Sequence, residues 1–153
     1  MRGVYTIYRE IASLSTAKTV LLGTAPVGTL IELLEAFLTN ANQNSVEQLF
    51  VGLYPVLVIG SPAGSTITPI ATESGSGNSA VTWLGDLTTE PSTYDTARPY
   101  HAEGVTNVIG YRYEPPPEGR RLIPSAGSFG MKLMAAPGNP FKAECMITYR
   151  EIK

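Results

Sequence analysis

The tetrapeptide Tyr-Arg-Glu-Ile occurs twice, at Tyr8 to Ile11 and at Tyr149 to Ile152, and each copy closes an alternating stretch, Val4-Tyr5-Thr6-Ile7 and Cys145-Met146-Ile147-Thr148. Period-2 alternation of apolar and polar residues is the mark of a half-buried strand, so both ends of the chain read as strands. A domain that starts and finishes in strand, with short β-rich runs separated by Pro and Gly, points to a sandwich or barrel rather than a parallel α/β sheet.

Bulk properties narrow the partners. At 153 residues one domain spanning 1–153 is expected, and a chain of this size buries roughly 68–70% of the surface its unfolded form exposes. Hydrophobic residues make up 43% and charged residues 16%, a folded composition. A net charge of −2, with Arg120-Arg121 as the basic pair, offers no long-range field for a polyanion, so no nucleic-acid partner is expected. The first twenty residues carry Arg9 and Glu10 where a secretory signal needs an apolar stretch, and no apolar run approaches the ~20 residues that span a bilayer. A soluble protein made in the cytoplasm, with no membrane partner, is expected. The single cysteine, Cys145, excludes an internal disulfide, and its alternating neighbours read it as a buried strand residue.

Along the chain, 18–24 is a compact β-rich run stopped by Ala25-Pro26. Segment 29–39 is ambiguous. Leu30, Leu33, Leu34, Phe37 and Leu38 fit helical spacing, and Thr29 with Glu32 matches a capping box. As a strand it would place Ile31, Leu33, Glu35 and Phe37 on one face, an imperfect alternation. The flanking strands and the polar loop signal at 39–45 favour strand, because tertiary context overrides local propensity. Residues 48–54 alternate cleanly and 56–59 continue them past Pro55, which is expected at an edge or bulge.

From 61 to 106 the chain is rich in Ser, Thr, Gly and Pro, with only 66–70 and 80–84 strand-like, and long loops are expected there. Order returns at 107–113, 121–123, 128–134 and 141–152. About eight strands joined by turn chemistry suit an all-β, antiparallel, jelly-roll-like β-sandwich with long Gly/Ser/Pro-rich loops.

Motifs for chemistry fail on context. Gly75-Ser-Gly77-Asn-Ser-Ala80 fits the dinucleotide spacing but leads into the strand-like Val81-Thr82-Trp83 instead of a helix, so it reads as a loop. His101-Ala102-Glu103 resembles half of a zinc-deaminase motif, but one cysteine cannot supply the other half. One histidine also rules out a two-histidine zinc site. No catalytic residue, metal or cofactor is expected, and His101 reads as a loop or interface residue. Glu32, Glu35, Glu114, Glu118, Asp86 and Asp95 are scattered, and a carboxylate pair is conceivable only if two meet in space with one buried. Glu114-Pro-Pro-Pro-Glu118 reads as a rigid connector between strands. Trp83, Tyr94, Tyr100 and His101 are the candidate interaction residues, since aromatic side chains give large contact area at low entropic cost.

Taken in order, LLGTAPVGTLIELLEAFLT, EQLFVGLYPV, GSTITPI, YRYEPPPEGRRLIPSAGSFGMKL and the closing MITYREI resemble a broad family of small structural proteins of tailed phages and prophages. That family shows a Thr-Ala-Pro turn, a Gln-Leu strand, a Thr-Pro turn, a Pro-x-x-Arg segment before a Gly turn, and a last strand ending in Glu-Ile. Where it often has Pro-Glu-Glu-Arg, this chain has Pro117-Glu118-Gly119-Arg120-Arg121. The resemblance implies a virion protein, a head decoration or cement protein that binds the major capsid protein on the outer capsid surface, commonly as a homotrimer and in many copies. Under that reading, 61–106 is expected to carry the capsid contacts. Two rivals come from other classes: a glycan-binding module of a tail or fibre that uses Trp83 and tyrosines as stacking platforms, and a small carboxylate-dependent hydrolase.

Overall fold

Alternating inward and outward side chains carry most of the chain into extended structure. The computed structural model describes residues 3–42 and 46–153. Among these lie β1 (Gly3–Leu14), β2 (Lys18–Thr24), β3 (Leu30–Asn40), β4 (Gln48–Val58), β5 (Ala63–Ile67), β6 (Ile70–Ala71), β7 (Thr82–Thr89), β8 (Thr93–Tyr94), β9 (His101–Thr106), β10 (Tyr111–Tyr113), β11 (Leu122–Ile123), β12 (Ser128–Leu133) and β13 (Phe141–Ile152). They form two antiparallel sheets packed as a sandwich. The first runs β10-β3-β13-β1-β6, with β11 also on β3; the second runs β5-β7-β2-β12-β4-β8, with β9 also on β4.

The two terminal strands pair along almost their whole length, from Gly3 opposite Glu151 to Leu14 opposite Phe141. The repeated tetrapeptide occupies this ladder in opposite phases. Tyr149 and Glu151 point into the core while Tyr8 and Glu10 face solvent; Ile11 is buried and Ile152 half-exposed. A one-residue offset in a period-2 element exchanges the two faces, so identical residues do different work at the two ends.

Segment 29–39 is a strand, and its helix-like spacing has a structural cause. The pairing with β13 slips between Thr148–Glu35 and Tyr149–Leu33, leaving Leu34 as an extra residue. Ile31 and Leu33 precede this bulge on the inner face, and Ala36, Leu38 and Asn40 follow it there. Glu35 and Phe37 therefore point outward, against the face expected for them. Thr39 and Asn40 complete the strand, and residues 43–45 of the expected loop lie outside the described residues.

Pro55 sits inside β4, opposite Phe129 of β12. Its carbonyl accepts from Asp95 N at 2.9 Å on the β8 side, where the pairing is irregular between Val56 and Val58. The missing N–H thus faces the weakest ladder available to it.

The middle third is more ordered than its composition suggests. Five strands, β5 to β9, lie within 61–106; the expected strand at 66–70 divides between β5 and β6, and the one at 80–84 runs on to Thr89. Conversely, 107–110 is a turn, closed by Gly110 N on Thr106 O at 2.8 Å, and only Tyr111–Tyr113 of that expected strand pairs. The proline run joins β10 to β11, two short strands that pair with different parts of β3.

Aromatic rings fill one region of the core. Trp83 packs edge-on to Phe129 at 5.4 Å and against Tyr149 at 5.3 Å, and Tyr149 stacks on Tyr5 at 5.7 Å. Gly23 makes room for this: a Cβ there would lie 2.7 Å from the Trp83 ring. Cys145 is buried and free, as expected, and burial raises its thiol pKa.

Candidate docking surface

The four aromatic candidates are packed against the fold itself. Trp83 is 1% exposed and belongs to the core, so it presents no ring to a partner. Tyr100 packs against the core, with its N–H on Leu53 O at 2.8 Å. His101 is a strand residue, not a loop residue: it opens β9, half-buried, with Nδ1 2.9 Å from Tyr111 Oη and its ring 5.2 Å from that of Tyr113.

Tyr94 belongs to a strap. After β7 the chain crosses the outer side of β2 and β12 to reach β8, and Glu90 and Tyr94 hold it down. Glu90 accepts from Thr19 N at 2.6 Å and from Lys132 Nζ at 2.9 Å; the Thr19 hydroxyl, 2.5 Å from Glu90 Oε2, also lies 2.7 Å from Tyr94 Oη. Burial would raise the Glu90 carboxyl, but the hydrogen bonds from Thr19 and Lys132 outweigh it and hold the pKa below the usual value. Burial pushes the Tyr94 phenol up. The Tyr94 ring lies over Gly130, where a Cβ would meet Oη at 2.5 Å, and Lys132 Nζ sits 5.2 Å from the ring centroid. Beside it, Tyr54 covers Gly52. Around Gly52 and Gly130 the outer face of the second sheet is thereby covered by the chain's own side chains, while Phe50, further along the same face of β4, stays exposed.

The segment expected to carry contacts is also tied down. Tyr5 Oη donates to Gly77 O at 2.9 Å, and the buried Glu151 carboxylate accepts from Ser79 Oγ and, at 2.9 Å, from Ala80 N. Ser79 Oγ also lies 2.7 Å from Tyr149 Oη, whose pKa is pushed up to about 12, chiefly by burial. Residues 77–81 thus plug one end of the core.

Six of the twelve exposed large apolar side chains of the described residues come from other segments and gather at this same end of the sandwich, where Thr24 pairs with Thr82 and Ile31 with Glu151. Phe129 is opposite both Gly23 and Pro55, so β2 and β4 advance in step on either side of β12. A few residues further on, Val27 and the run Leu57-Val58-Ile59 emerge at the same end of the sandwich. Leu30, at the start of β3, and Leu122, opposite Glu32 near that start, belong to the same end. All six are exposed, Val27 at 86%.

The turns that carry this end are braced. Ala25 N donates to Gly127 O at 2.9 Å, Gly28 N to Ser125 Oγ at 2.7 Å, and Thr29 N to Pro26 O at 3.2 Å. Gly28 has φ +85°, a conformation that closes the turn without a Cβ penalty. Next to the patch Glu32 receives Arg150 Nη1 at 2.7 Å, with Arg120 Nη1 at 3.6 Å, which gives the apolar end a charged border.

One pair of the scattered carboxylates does meet. Glu35 lies near enough to Glu114 for the two to influence each other's ionisation, and Arg112 Nη2 lies 2.6 Å from Glu114 Oε1. Burial, reinforced by Glu114, raises the Glu35 carboxyl, while the Arg112 hydrogen bond lowers that of Glu114. Neither residue is fully buried, Glu114 being 49% exposed and paired with Arg112, so this pair does not support the hydrolase reading. Among the described residues no group of His, Cys, Asp and Glu is placed to hold a metal ion, and no helix is long and apolar enough to cross a membrane.

The sequence reading missed Val27, Leu57, Val58, Ile59 and Leu122. A signal existed for three of them: four consecutive apolar residues, 56–59, break the alternation of β4 where it leaves the sheet. Compared with protein-family models, curated proteins and solved structures, the chain matches none.

Proposed function

We propose that this chain is a structural protein of a tailed-phage particle, a head decoration or cement protein that seats its apolar end on the major capsid protein at the outer capsid surface. The observation that supports this reading is the concentration of six exposed aliphatic side chains at one braced end of the sandwich. Exposed apolar side chains gathered at one end of a domain are a mark of interaction sites. Burying six such side chains contributes on the order of 10 kcal/mol gross, against an association cost of similar size. A single copy would bind weakly. Self-association into a trimer, which the family resemblance implies, would multiply the contact through avidity.

The contacts are relocated by this proposal from 61–106 to Val27, Leu30, 57–59 and Leu122. Deleting 72–79 is no clean test of docking, because it removes the groups that cap Tyr5, Tyr149 and Glu151. A better test compares the native chain with a Val27→Ser, Val58→Ser, Leu122→Ser variant, added to heads of the source virus that lack the protein. Saturable binding over the head surface, a gain in head survival on heating, and loss of both in the variant are the expected results. No binding by the native chain, or binding confined to a few copies at one vertex, would refute head decoration.

A further inference from the structure

We propose that the groove beside Phe37, on the outer face of the first sheet, is a binding subsite for one neutral hexopyranose unit of a glycan. The groove holds about 240 Å³ and is lined by Phe37, Thr39, Ile109, Tyr111 and Arg112. That is below the roughly 300 Å³ at which drug-sized sites begin, and suits a single ring. Phe37 and Arg112 are directly opposite each other in the β3–β10 ladder, which sets an aromatic surface beside a planar guanidinium. Ile109, 83% exposed on the turn before β10, forms an apolar lip.

The chemistry around the groove fits a polyol better than an ion. Arg112 is already neutralised by Glu114 at 2.6 Å, so an anion would compete with a carboxylate in place and a cation with a guanidinium in place. A pyranose brings no charge. It offers a C–H face to an aromatic ring and hydroxyls that both donate and accept. Arg112, which lines the groove, supplies donors. Thr39 adds a hydroxyl on the far side of Phe37.

Position makes the subsite independent of head attachment. Phe37 and Thr39 lie toward the end of β3 opposite Leu30, so a copy seated by its apolar end leaves the groove facing outward. It also replaces Trp83, which is buried, as the aromatic platform of a glycan contact.

The test is a titration of the isotope-labelled full chain with methyl glucoside, methyl galactoside, methyl mannoside and N-acetylglucosamine, with inorganic phosphate as the anionic control. The expected result is a saturable, millimolar response to at least one sugar, confined to the amides of Phe37, Thr39 and 109–112. It should weaken roughly tenfold or more in Phe37→Ala and in Arg112→Gln. If Phe37→Ala fails to fold, Arg112→Gln and Thr39→Val, both on the outer face, carry the comparison. No saturable response to any of the four sugars, unchanged affinity in Arg112→Gln, or a response to phosphate alone would overturn the proposal.

Discussion

Replacing Glu90 with alanine removes the residue that fastens the strap across the second sheet. The loss can be worked from its partners. Thr19 is fully buried, and its N–H has Glu90 Oε1 at 2.6 Å as acceptor. An orphaned buried donor costs about 1–3 kcal/mol. The Thr19 hydroxyl keeps Tyr94 as a partner and adds little. The Lys132 ammonium loses its ion pair, but Glu90 is 35% exposed, so solvent screens this contribution to a few tenths of a kcal/mol. The sum is roughly 2–3 kcal/mol, and at about 2–4 °C per kcal/mol for a chain of this length it lowers Tm by about 4–12 °C. Trp83, the one tryptophan and fully internal, reports global unfolding in urea by its fluorescence. A Glu90→Ala, Lys132→Met double variant separates the two contributions. If the stranded amide dominates, removing the ammonium recovers less than about 1 kcal/mol. A Glu90→Ala cost below about 1 kcal/mol, or full recovery in the double variant, would refute the assignment of the strap's hold to the Thr19 cap.

Acid should act through the same residue. The Glu90 carboxyl is depressed in the folded state, so its contribution is present above the ordinary glutamate pKa and is lost as pH falls through the lower folded value. Glu35 is raised and works with the opposite sign, favouring the fold at low pH and losing that contribution as pH rises through its folded value. Urea midpoints measured on the acid side should therefore fall less steeply in Glu90→Gln and more steeply in Glu35→Gln than in the native chain. Gly23→Ala should cost about 1–3 kcal/mol by overpacking, since the new methyl meets Trp83 at 2.7 Å and Phe129 at 2.9 Å; an unchanged urea midpoint would show that the aromatic cluster yields easily.

Much of the sandwich was legible because alternation survives wherever a strand has one wet and one dry face. β1 and β13 are of this kind, and their bounds lie close to those read from the residues. β3 was harder, because a bulge at Leu34 turns period 2 into something that imitates a helical repeat. Short strands such as β8 and β9 were hidden in polar sequence: they are held by backbone pairing to β4 and by a few packed rings, neither of which leaves a periodic trace. The aromatic candidates failed for a related reason. Whether Tyr94 is a contact residue or a lid depends on Gly130, a residue 36 positions away that leaves the space it fills. Exposure of a tyrosine is a tertiary property that the local pattern does not encode.

The same glycine shelves bear on which surfaces are left for partners. Once Tyr54 and Tyr94 lie over Gly52 and Gly130, that part of the outer face of the second sheet is spent on the fold itself. The plug at 77–81 closes one opening of the core in the same way. Among the surfaces left uncovered in the described residues are the apolar end around Val27 and the outer face of the first sheet with its groove. These two surfaces differ in chemistry and in stiffness. The turn that carries Val27 is tied to Ser125 and Gly127, so the proposed docking would order little there that is not already ordered, and the entropic cost of binding would fall on the partner. Loosening that turn should thus weaken docking without changing any contact atom. Ser125→Ala, which removes the acceptor of Gly28 N–H while leaving Val27 and Leu122 in place, is the substitution in which that separation between contact and pre-organisation can be seen.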